Sequence, residues 1–568
     1  MKLRLLLGAM VAAAVTVAAA SPDSPARGVF EDITKSSGVD FRVATDLRHL
    51  KLIPTMVGGC AFGDYDGDGR SDLFITSSVA RWGKPNPKSC GRLFHNLGGG
   101  RFEDVTERSG IRACGLGMGA FWADLDGDGR LDLYLTNVGA NTVWWNRGDG
   151  TFEEGKDTGL EDPLFSVGAA FLDYDGDGKV DVVVANYLDS TPAWEAAQPQ
   201  FELRVPEDYT GQPSHLFHNE GARKFRDATR EAGLVMDPRE TKTLTVAVVD
   251  YDGDGRPDLF FANDRTGNRL FHNLGGRFEE TTAETGAGVL GERARAGMGV
   301  AVGDPFGTGL PSLFVTNFGA EPNSFYRNVS GAIFEDAGAA TGSAEIGMPF
   351  VRWGTGFADF DNDGLPDLYA VGGHLAPRAV RLLGHYKSGA ARYVEAGDAA
   401  YAQPTVLLRN TGERFVEWKE SGDLGRRRMV GRGSAVADVD GDGGLDLFIT
   451  DLDGRARVFR NRVGAQRSWV EIAPRPGEEG AAVLGAKVRV TAGGRTQTQW
   501  YQVSSSYASG SLVPLHFGLG DADRAAEVEI VWPGGAKQTF RDLPARRVYA
   551  VRPGGEPEAR DPAAGSGR

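Results

Sequence analysis

The chain has 568 residues, a formal net charge of −15 at pH 7 and 80 glycines. It is too long for one ordinary hydrophobic core, and its glycine content favours many short strands joined by tight turns over a helical protein. The sequence contains no Lys and Arg cluster of useful length, which excludes nucleic acid as a partner.

The first 20 residues have the pattern of a secretory signal peptide. Lys2 and Arg4 precede an apolar run from Leu5 to Val17, and a run of small residues ends at Ala20. The apolar run is shorter than the about 20 residues that a membrane-spanning helix needs, and no other segment of the sequence is apolar enough to span a bilayer. We therefore expect cleavage near Ala20 and a secreted or periplasmic protein.

One acidic motif organises the chain. The segment DYDGDGRSDLFIT begins at Asp64, and five close relatives and one degenerate copy follow it. Apolar residues with the β-branched and aromatic content of strands flank each copy, so the sequence predicts a strand, a tight acidic loop and a second strand every time. The copies begin at Asp64, Asp124, Asp173, Asp250, Asp304, Asp359 and Asp438.

A second repeated element follows the acidic copies. It reads LFHNLGGGRFEDVT at Leu93, which is an apolar run, an Asn-x-Gly-type turn and another strand, as in a β-hairpin. Four strands per copy make one blade of a β-propeller. The last copy lacks a partner strand after Val458–Asn461, whereas an orphan strand, Val29–Thr34, precedes the first copy. We expect this N-terminal strand to complete the last blade and to close a seven-bladed ring over residues 28–462.

The acidic loops have the ligand pattern of a cation site. In the Asp64 copy, carboxylates occupy positions 1, 3, 5 and 9, a main-chain carbonyl is available at position 7, and glycines let the backbone curl around one point. Such flexible, oxygen-only ligand sets suit Ca²⁺ better than Mg²⁺. An EF-hand is excluded because position 12 is a strand residue where an EF-hand needs a bidentate Glu.

The alternative to a metal site is a solvated acidic turn. Like charges about 4 Å apart repel by roughly 4 kcal/mol at an effective dielectric constant of 20, so four carboxylates on nine residues favour a bound cation, and we expect about six Ca²⁺ sites. The Asp304 copy has Phe306, Thr308 and Ser312 where the others have acids, which predicts weak binding or none there. The predicted ligands, with the position-7 residue offering its carbonyl, are Asp64, Asp66, Asp68, Arg70, Asp72, Asp124, Asp126, Asp128, Arg130, Asp132, Asp173, Asp175, Asp177, Lys179, Asp181, Asp250, Asp252, Asp254, Arg256, Asp258, Asp359, Asp361, Asp363, Leu365, Asp367, Asp438, Asp440, Asp442, Gly444 and Asp446.

Three insertions interrupt the regular repeat, at about residues 80–91, 187–214 and 372–403. They fall at equivalent points of their copies, so we expect them on one end of the ring, here called the insertion face. Loops on a rigid scaffold usually carry function, although decorative surface loops are the alternative. The candidate ligand-binding residues are Trp194, Tyr209, His374, Arg378, His385, Tyr386 and Tyr401.

Cysteine and histidine are scarce. Cys60 stands where other copies have small residues and is expected to be buried, while Cys90 and Cys114 flank one strand pair and either form a disulfide or remain free thiols. Three histidines share one repeat position directly before the hairpin Asn, which favours a structural role. They are His95, His218 and His272.

Residues 463–554 have strand patterning of their own. Val488 and Val490 alternate with polar neighbours, as do Val528 and Ile530, and Gly and Pro-Gly turns punctuate the segment. We expect a small β-sandwich domain. Residues 555–568 are rich in Gly, Pro, Ala and charge, which predicts a disordered tail.

The repeats resemble the FG-GAP/VCBS calcium repeats of integrin-like propellers in their acid spacing, over roughly residues 28 to 462. The C-terminal segments GAKVRVTAGG, LHFGLGDAD and VEIVWPGG resemble the ASPIC/UnbV domain. This order of domains is similar to that of the cartilage acidic protein family, which includes many bacterial exported members. The resemblance implies a seven-bladed propeller in an extracellular or periplasmic setting, and it implies no established reaction.

The sequence favours a non-enzymatic binding or scaffold protein whose protein or glycan partner engages the insertion face. It contains no HExxH, GxSxG or Walker motif. The rival is an enzyme acting on a sugar or a secondary metabolite at the same face, with His374, His385 or a Tyr as acid–base, because a fold does not dictate a function. A pocket that joins both histidines to an open metal position would favour the enzyme.

Overall fold

The computed structural model describes residues 28–43, 52–77, 90–191, 194, 197, 206–288, 294–345, 348, 350–375, 401–452, 454–477 and 483–561. Within these residues the chain consists of strands and a few one-turn helices, which confirms the predicted all-β class. The predicted signal peptide lies outside the described residues. None of the helices in the described part is long and apolar enough to cross a membrane.

Seven sheets of four antiparallel repeat strands hold the seven acidic copies, one copy in each. Sheets 1 to 6 follow chain order, and sheet 7 takes its fourth strand from the start of the described chain. The strands are β1 (Phe30–Asp32) of sheet 7; β2 (Cys60–Gly63), β3 (Asp72–Ile75), β4 (Arg92–Gly98) and β5 (Arg101–Asp104) of sheet 1; β6 (Gly117–Ala123), β7 (Asp132–Asn137), β8 (Thr142–Asn146) and β9 (Phe152–Glu154) of sheet 2; β10 (Ser166–Leu172), β11 (Asp181–Asn186), β12 (His215–Gly221) and β13 (Lys224–Asp227) of sheet 3; β14 (Thr243–Val249), β15 (Asp258–Asn263), β16 (Arg269–Asn273) and β17 (Phe278–Glu280) of sheet 4; β18 (Val300–Gly303), β19 (Ser312–Val315), β20 (Ser324–Asn328) and β21 (Phe334–Asp336) of sheet 5; β22 (Arg352–Ala358), β23 (Asp367–Gly372), β25 (Val406–Asn410) and β26 (Phe415–Glu417) of sheet 6, with β24 (Gln403–Pro404) paired to β27 (Arg428–Met429) beside it; and β28 (Gly431–Ala437), β29 (Asp446–Asp451) and β30 (Arg457–Asn461) of sheet 7.

Short helices connect some of these sheets. Most of them are single turns that follow the outermost strand of a sheet. They are α1 (Thr34–Ser37), α2 (Leu52–Met56), α3 (Thr106–Ser109), α4 (Thr282–Thr285), α5 (Gly338–Thr341) and α6 (Asp423–Arg426), with 3₁₀ turns at Pro206–Asp208 and Gly464–Gln466.

The sheets are arranged like propeller blades, with the first repeat strand of each innermost. These inner strands contact one another in the cyclic order β2, β6, β10, β14, β18, β22, β28 and back to β2. The acidic loops join the first and second strands and therefore lie at one end of the ring, the loop face. The described residues that border the predicted insertions follow the second strands or precede the third strands, and therefore lie at the opposite end.

Asparagine side chains link neighbouring sheets at the loop face. The Nδ2 of each hairpin Asn donates to the carbonyl of loop position 2 in the preceding sheet. Asn96 of sheet 1 reaches Val439 of sheet 7 at 3.1 Å, so the cycle of hydrogen bonds closes. The other six bonds run from Asn146 to Tyr65, Asn219 to Leu125, Asn273 to Tyr174, Asn328 to Tyr251, Asn410 to Pro305 and Asn461 to Phe360.

The predicted seam between the two ends of the ring is confirmed. Strand β1 pairs antiparallel with β30, with Phe30 opposite Asn461 and Asp32 opposite Phe459. Phe30 and Phe459 are both buried. The N-terminal strand thus covers an edge that would otherwise expose unpaired backbone groups.

The structure also shows the bonding state of the three cysteines. Cys90 and Cys114 form a disulfide, so of the two alternatives the bridge is the one observed. Cys60 is a buried free thiol on the inner strand of sheet 1, as expected.

The C-terminal residues form two further sheets. One has the order β35-β31-β38-β39 and the other β33-β32-β36-β37, and apolar side chains of both, such as Val470, Val488 and Val528, are buried in one cluster. The strands are β31 (Ser468–Pro474), β32 (Ala486–Ala492), β33 (Arg495–Tyr501), β34 (Ser509–Gly510), β35 (Leu515–Gly520), β36 (Arg524–Val531), β37 (Lys537–Pro544), β38 (Arg547–Val551) and β39 (Glu558–Arg560).

The prediction of a disordered tail from residue 555 is wrong for the described part of that segment. Strand β39 pairs antiparallel with β38, with Ala559 opposite Tyr549. Backbone hydrogen bonds to a sheet edge hold this segment, although its composition resembles that of a disordered chain. Residues 562–568 lie outside the described residues.

One segment of the C-terminal domain, residues 502–513, enters the centre of the ring, and we call it the arm. Strand β34 within it runs parallel to β6 of sheet 2, with Ser509 opposite Ala120. The arm also accepts a hydrogen bond from Thr355 N of sheet 6 at Ser506 Oγ, at 3.1 Å, and Phe62 N of sheet 1 donates to Ser511 Oγ at 2.9 Å. The arm is therefore held by main-chain groups of several inner strands.

The tip of the arm reaches the far end of the channel. Tyr507 is fully buried, its ring lies 4.7 Å from that of Trp353, and its hydroxyl donates to Met56 O at 2.7 Å. Met56 precedes β2 and therefore lies towards the insertion face. The arm thus spans the ring from one face to the other.

Introducing a cysteine at Ser509 should create a disulfide between the two domains. Ser509 Oγ lies 3.6 Å from the free thiol of Cys60, so we expect the thiol of Ser509→Cys to oxidise with that of Cys60 and to leave no thiol titratable in denaturant, against one in the wild type. The control Ser505→Cys, at a partly exposed arm position, should leave two. Two free thiols in Ser509→Cys after mild oxidation would mean that the arm does not lie in the channel.

Candidate metal centres

The acidic loops are short connections between two strands, and glycines with positive φ curl each loop around its own carboxylates. In sheet 1, Asp64 follows the end of β2 and Asp72 begins β3. Gly67 and Gly69 have φ values of +75° and +91°, which glycine adopts without strain. Asp64 Oδ2 accepts a hydrogen bond from Gly69 N at 3.1 Å, which holds the loop closed around its carboxylates.

The carboxylates of the loops converge. One oxygen each from Asp64, Asp66 and Asp72 lie within 4.8 Å of one another, and the same holds for Asp124, Asp126 and Asp132. Groups of three acids so placed could hold one metal ion.

Two buried carboxylate oxygens that lack a hydrogen-bond partner in the described part of the chain indicate that the loop residues fit a cation. Asp64 Oδ1 and Asp361 Oδ1 are buried and have no hydrogen-bond partner among the described residues. A buried carboxylate oxygen without a partner costs free energy, and a cation inside the loop would satisfy it. The donor set is rich in hard oxygen ligands, so these residues fit a divalent metal ion.

Burial of the position-9 acids gives the loops unusual proton affinity. Burial raises the pKa of Asp72 to about 7, and it raises the pKa of Asp181 and of Asp258 to about 8, with nearby loop carboxylates adding to the rise. The pKa of Asp132, Asp367 and Asp446 lies well above the usual range for the same reason. A bound cation would favour the ionised carboxylates and displace these protons.

The Asp304 loop satisfies its own acid without a metal. Asp304 Oδ1 accepts hydrogen bonds from the Thr308 main chain and hydroxyl, and Oδ2 accepts from Gly309 N. Phe306 packs against Phe325 and Phe415, with ring centroids 5.9 and 5.3 Å away. Phe306 thus places an apolar ring at a position where the other loops have a carboxylate ligand. This is a physical reason for the weak cation binding that the sequence predicts at this loop.

The C-terminal domain sits directly on the loops of sheets 6 and 7. Asn362, whose φ is +55°, replaces a loop glycine, and its Oδ1 bonds His516 Nε2 at 2.7 Å. Its Nδ2 donates to Gly443 O of the neighbouring loop at 2.8 Å. A side chain at Gly518 would clash with the Asp359 carboxylate, so the domain approaches this loop as closely as a backbone can. Sequence reasoning missed this role of Asn362, and its signal is the one Asn among the loop glycines.

The loops of sheets 1 and 2 instead border open clefts between the two domains. A cavity of about 810 Å³ is lined by the Asp64 loop on one side and by Arg475 and Arg560 on the other. A second cavity, of about 400 Å³, lies between the Asp124 loop and Arg475. Solvent and ions thus have a route to these loops.

Three histidines that the sequence analysis assigned a structural role lie against the loops. His95 Nδ1 lies 3.0 Å from Asp72 Oδ1, and the equivalent distances are 3.2 Å for His218 to Asp181 and 3.1 Å for His272 to Asp258. The residue before the hairpin Asn therefore faces the acidic loop, and its variation between His, Trp and Arg along the chain was the available signal.

The candidate residues of the insertion face are only partly described, since Arg378, His385 and Tyr386 lie outside the described residues. The rings of Trp194 and Tyr209 contact each other at 5.3 Å. His374 is 5% exposed, packs on Phe318 at 5.8 Å, and its main-chain N donates to Tyr401 O at 2.9 Å. The structure thus brings the described candidates together in two pairs.

Both pairs adjoin the end of the arm. Tyr209, Phe318 and Tyr401 are partly exposed and pack against one hydrophobic cluster that contains Trp353 and Tyr507. The insertion face therefore has an aromatic centre built from several sheets and from the C-terminal domain.

A buried polar pair near this centre escaped the sequence analysis. The Tyr187 hydroxyl donates to Asp264 Oδ2, and burial raises the pKa of Asp264 to about 6. The adjacent Arg265 pairs with Glu321. These acids follow ordinary repeat strands rather than long insertions, so spacing gave no signal for them.

Comparison with known proteins defines the class of the chain. Residues 64–135, 124–184 and 250–315 match the FG-GAP-like repeat, and residues 477–558 match the domain described as ASPIC and UnbV. The chain therefore combines FG-GAP-like repeats with a C-terminal ASPIC/UnbV domain, as the sequence predicts.

The chain is also similar in sequence to curated proteins. Cartilage acidic protein 1 of Mus musculus is 29% identical over 339 residues, which are 58% of this chain and 47% of the relative. The Homo sapiens protein is also 29% identical over 339 residues, 58% of this chain and 46% of the relative. The chain thus spans about half the length of the curated relatives it matches.

Solved structures show weaker likeness. An Agrocybe aegerita lectin that recognises non-reducing terminal N-acetylglucosamine has a TM-score of 0.37 at 15% identity, over 70% of this chain and 87% of that chain. The extracellular domain of a hybrid two-component system from B. thetaiotaomicron has a TM-score of 0.40 at 9% identity, over 84% of this chain and 47% of that one. Neither likeness indicates a shared function.

Proposed function

We propose that this protein is a secreted or periplasmic Ca²⁺-binding β-propeller that binds a protein or glycan partner at its insertion face. The observation that supports the proposal most is that the two ends of the ring differ in what covers them. The C-terminal domain lies on the loops of sheets 6 and 7, and its arm passes through the channel, whereas partly exposed aromatic side chains gather at the opposite end. Rigid aromatic residues at a surface are the usual anchors of a binding interface.

The proposal includes the ion and its number. Six complete loops would each hold one Ca²⁺ through the carboxylates at positions 1, 3, 5 and 9 and the carbonyl at position 7. Six ions would bring 12 positive charges to a chain whose formal charge is −15. Extracellular fluid supplies Ca²⁺ at concentrations that suit such oxygen-rich sites.

The proposal also includes the division of the chain. Residues 1–20 would be the signal peptide, residues 28–462 the propeller, and the C-terminal domain would run from residue 463 to at least Arg560, since β39 belongs to its edge. The insertion face is the binding surface of the mature protein in this scheme.

Binding should be tested with the full mature chain on protein and glycan arrays in the presence of Ca²⁺. Trp194→Ala and Tyr401→Ala should each weaken a genuine hit by at least about tenfold, because aromatic anchors carry most interface energy. Leu97→Ala, at an exposed position in a loop-face hairpin, is the matched control and should change nothing. A hit weakened only by the control would place the partner on the other face, and no hit in either array would remove the proposed partner classes.

The enzyme alternative keeps one specific supporting observation. A buried Asp hydrogen-bonded to a Tyr, with a pKa raised to about 6, could act in proton transfer. Of the two histidine candidates for acid–base chemistry, His374 is in the described part of the chain, and its burial disfavours direct contact with a substrate. Turnover of a bound glycan that is abolished by Asp264→Asn would favour the enzyme.

A further inference from the structure

The three loop-facing histidines share one local geometry. In each case Nδ1 is the ring atom nearest the loop, and it lies between the position-3 and position-9 carboxylates. The distances from Nδ1 to the position-3 oxygen are 3.3 Å for His95, 3.4 Å for His218 and 3.7 Å for His272. With the distances of 3.0–3.2 Å to the position-9 oxygen, this makes three copies of one nitrogen–oxygen–oxygen arrangement.

These separations suit ligands of a common small ion. Two ligand atoms about 2.1 Å from one metal ion, at tetrahedral to octahedral angles, lie about 3.0–3.4 Å apart. The separations at His95 and His218 fall in this range, and the 3.7 Å between His272 Nδ1 and the Asp252 carboxylate exceeds it slightly. Each histidine forms, with two acids of its loop, a group that could hold a metal ion. Nδ1 of His95 and Nδ1 of His272 form hydrogen bonds with the position-9 carboxylates, whereas the buried His218 Nδ1 has no partner in hydrogen-bond geometry among the described residues.

A tyrosine orients each of these rings. Loop position 2 is Tyr in the three sheets that carry the histidine, and the Tyr and His rings meet edge to face at 6.2 Å in sheet 1, 5.9 Å in sheet 3 and 5.7 Å in sheet 4. The other complete loops have Leu125, Phe360 and Val439 at this position and no histidine. The Tyr ring packs against the His ring in all three sheets and so restricts its orientation beside the loop.

The remaining sheets carry residues that cannot bind a cation. Trp145 occupies the histidine position in sheet 2, and Arg327, Arg409 and Arg460 occupy it in sheets 5 to 7. Arg409 lies 2.6 Å from the Asp361 carboxylate, so at this position sheet 6 offers the loop a cationic hydrogen-bond donor and no nitrogen ligand. Neither an indole nor a guanidinium has a lone pair for a cation.

We propose that the loops of sheets 1, 3 and 4 are mixed nitrogen–oxygen centres, in which His95, His218 and His272 join the acids as ligands of a borderline divalent ion such as Zn²⁺. The inference rests on the proposed cation binding by the loops. It adds that the three loops with a histidine select Zn²⁺ over Ca²⁺. Ca²⁺ takes oxygen ligands, whereas imidazole suits Zn²⁺ and the later first-row ions. The chain therefore contains two kinds of centre, and only three of the six complete loops accept the softer ion.

The test is equilibrium dialysis of the full mature chain against Zn²⁺ with Ca²⁺ in excess, followed by elemental analysis. We expect about three Zn²⁺ per wild-type chain and at least a tenfold lower uptake in the triple variant His95→Arg/His218→Arg/His272→Arg, which carries the residue of sheets 5 to 7. His215→Gln is the matched control, because His215 bonds Asp162 away from the loops, at 2.8 Å, and it should leave Zn²⁺ uptake unchanged.

Co²⁺ provides a second measurement that does not depend on counting. Imidazole ligation should give a visible absorption band in the wild type that is lost in the triple variant. Ca²⁺ retained by the loops of sheets 2, 6 and 7 shows that the variant is folded. Equal Zn²⁺ uptake in wild type and triple variant would overturn the inference, as would no Zn²⁺ uptake by a wild-type chain that binds Ca²⁺, whereas absence of both ions would instead refute the proposed function.

Discussion

Withdrawal of divalent cations should lower the midpoint of thermal unfolding by about 15–30 °C. An ion that binds only the folded chain stabilises it by about 2.7 kcal/mol at 100-fold saturation, or about 16 kcal/mol over six independent sites. A free energy of that size corresponds to a shift of this order in a domain of several hundred residues. Calorimetry of the mature chain in Ca²⁺ and in chelator measures the difference.

The structural reason is that the loops bury acids whose ionised form a cation would stabilise. Asp72, Asp132, Asp181, Asp258 and Asp446 are fully or almost fully buried at position 9. Because each loop is also tied to the next sheet by an Asn side chain, loosening of one loop should spread to its neighbours. We therefore expect one cooperative transition to move, rather than a separate early step.

The effect of the chelator should shrink as the pH falls. The position-9 acids of the metal-free chain have pKa values raised to about 7 or 8, above the value of about 3.9 of an unfolded Asp. The folded metal-free chain thus binds more protons than the unfolded chain between about pH 4 and pH 8, and its stability rises as the pH is lowered through that window. Melting curves in chelator at pH 5 and pH 8 check the sign, and overlapping curves with and without Ca²⁺ at pH 8 would contradict the metal role.

Deletion of residues 28–36 should destabilise the whole ring by several kcal/mol. The deletion removes β1, whose Phe30 is 2% exposed, together with Val29 at 2%, and each buried apolar side chain of this kind contributes about 1.5–3 kcal/mol. It also removes Asp32, which pairs with Arg427 and Arg457. Urea unfolding of the mature chain followed by circular dichroism gives the change in midpoint.

The control for this deletion has to avoid β39. Removing residues 562–568 takes away no residue of any described strand and should leave the urea midpoint where it is. If the two deletions shift the midpoint equally, β1 does not stabilise the ring and the seam has no energetic role.

The fold could be predicted because the sequence pattern of each repeat marks where its strands and turns begin and end. Seven acidic copies, each followed by a hairpin signal, define the sheets, and the strand left over at Val29–Thr34 has only one possible partner. Local spacing also identified the carboxylates of the loops, since ligands within nine residues must converge when glycines curl the chain.

Long-range packing accounts for what the sequence did not show. The arm contains the serine-rich segment SSSYASGS, which has the composition of a linker, yet Tyr507 and Ala508 are fully buried because inner strands hundreds of residues away supply their partners. The contact between His95 and the acidic loop could not be predicted for the same reason. The repeat shows that this histidine recurs at one position, but not which part of the fold its ring contacts. The tail at β39 was misjudged because composition cannot register an available sheet edge.

The closed seam and the arm in the channel also set an order of events for the nascent chain. Asn461 must be synthesised before it can pair with Phe30, and Ser509 must follow before Cys60 N has its side-chain acceptor, 449 residues away in sequence. Contacts so distant along the chain make folding slow and leave sheet edges open in the meantime. Nearly the full polypeptide must therefore emerge before the native state can form, and we expect a chain truncated before the arm to aggregate rather than to form a smaller stable propeller.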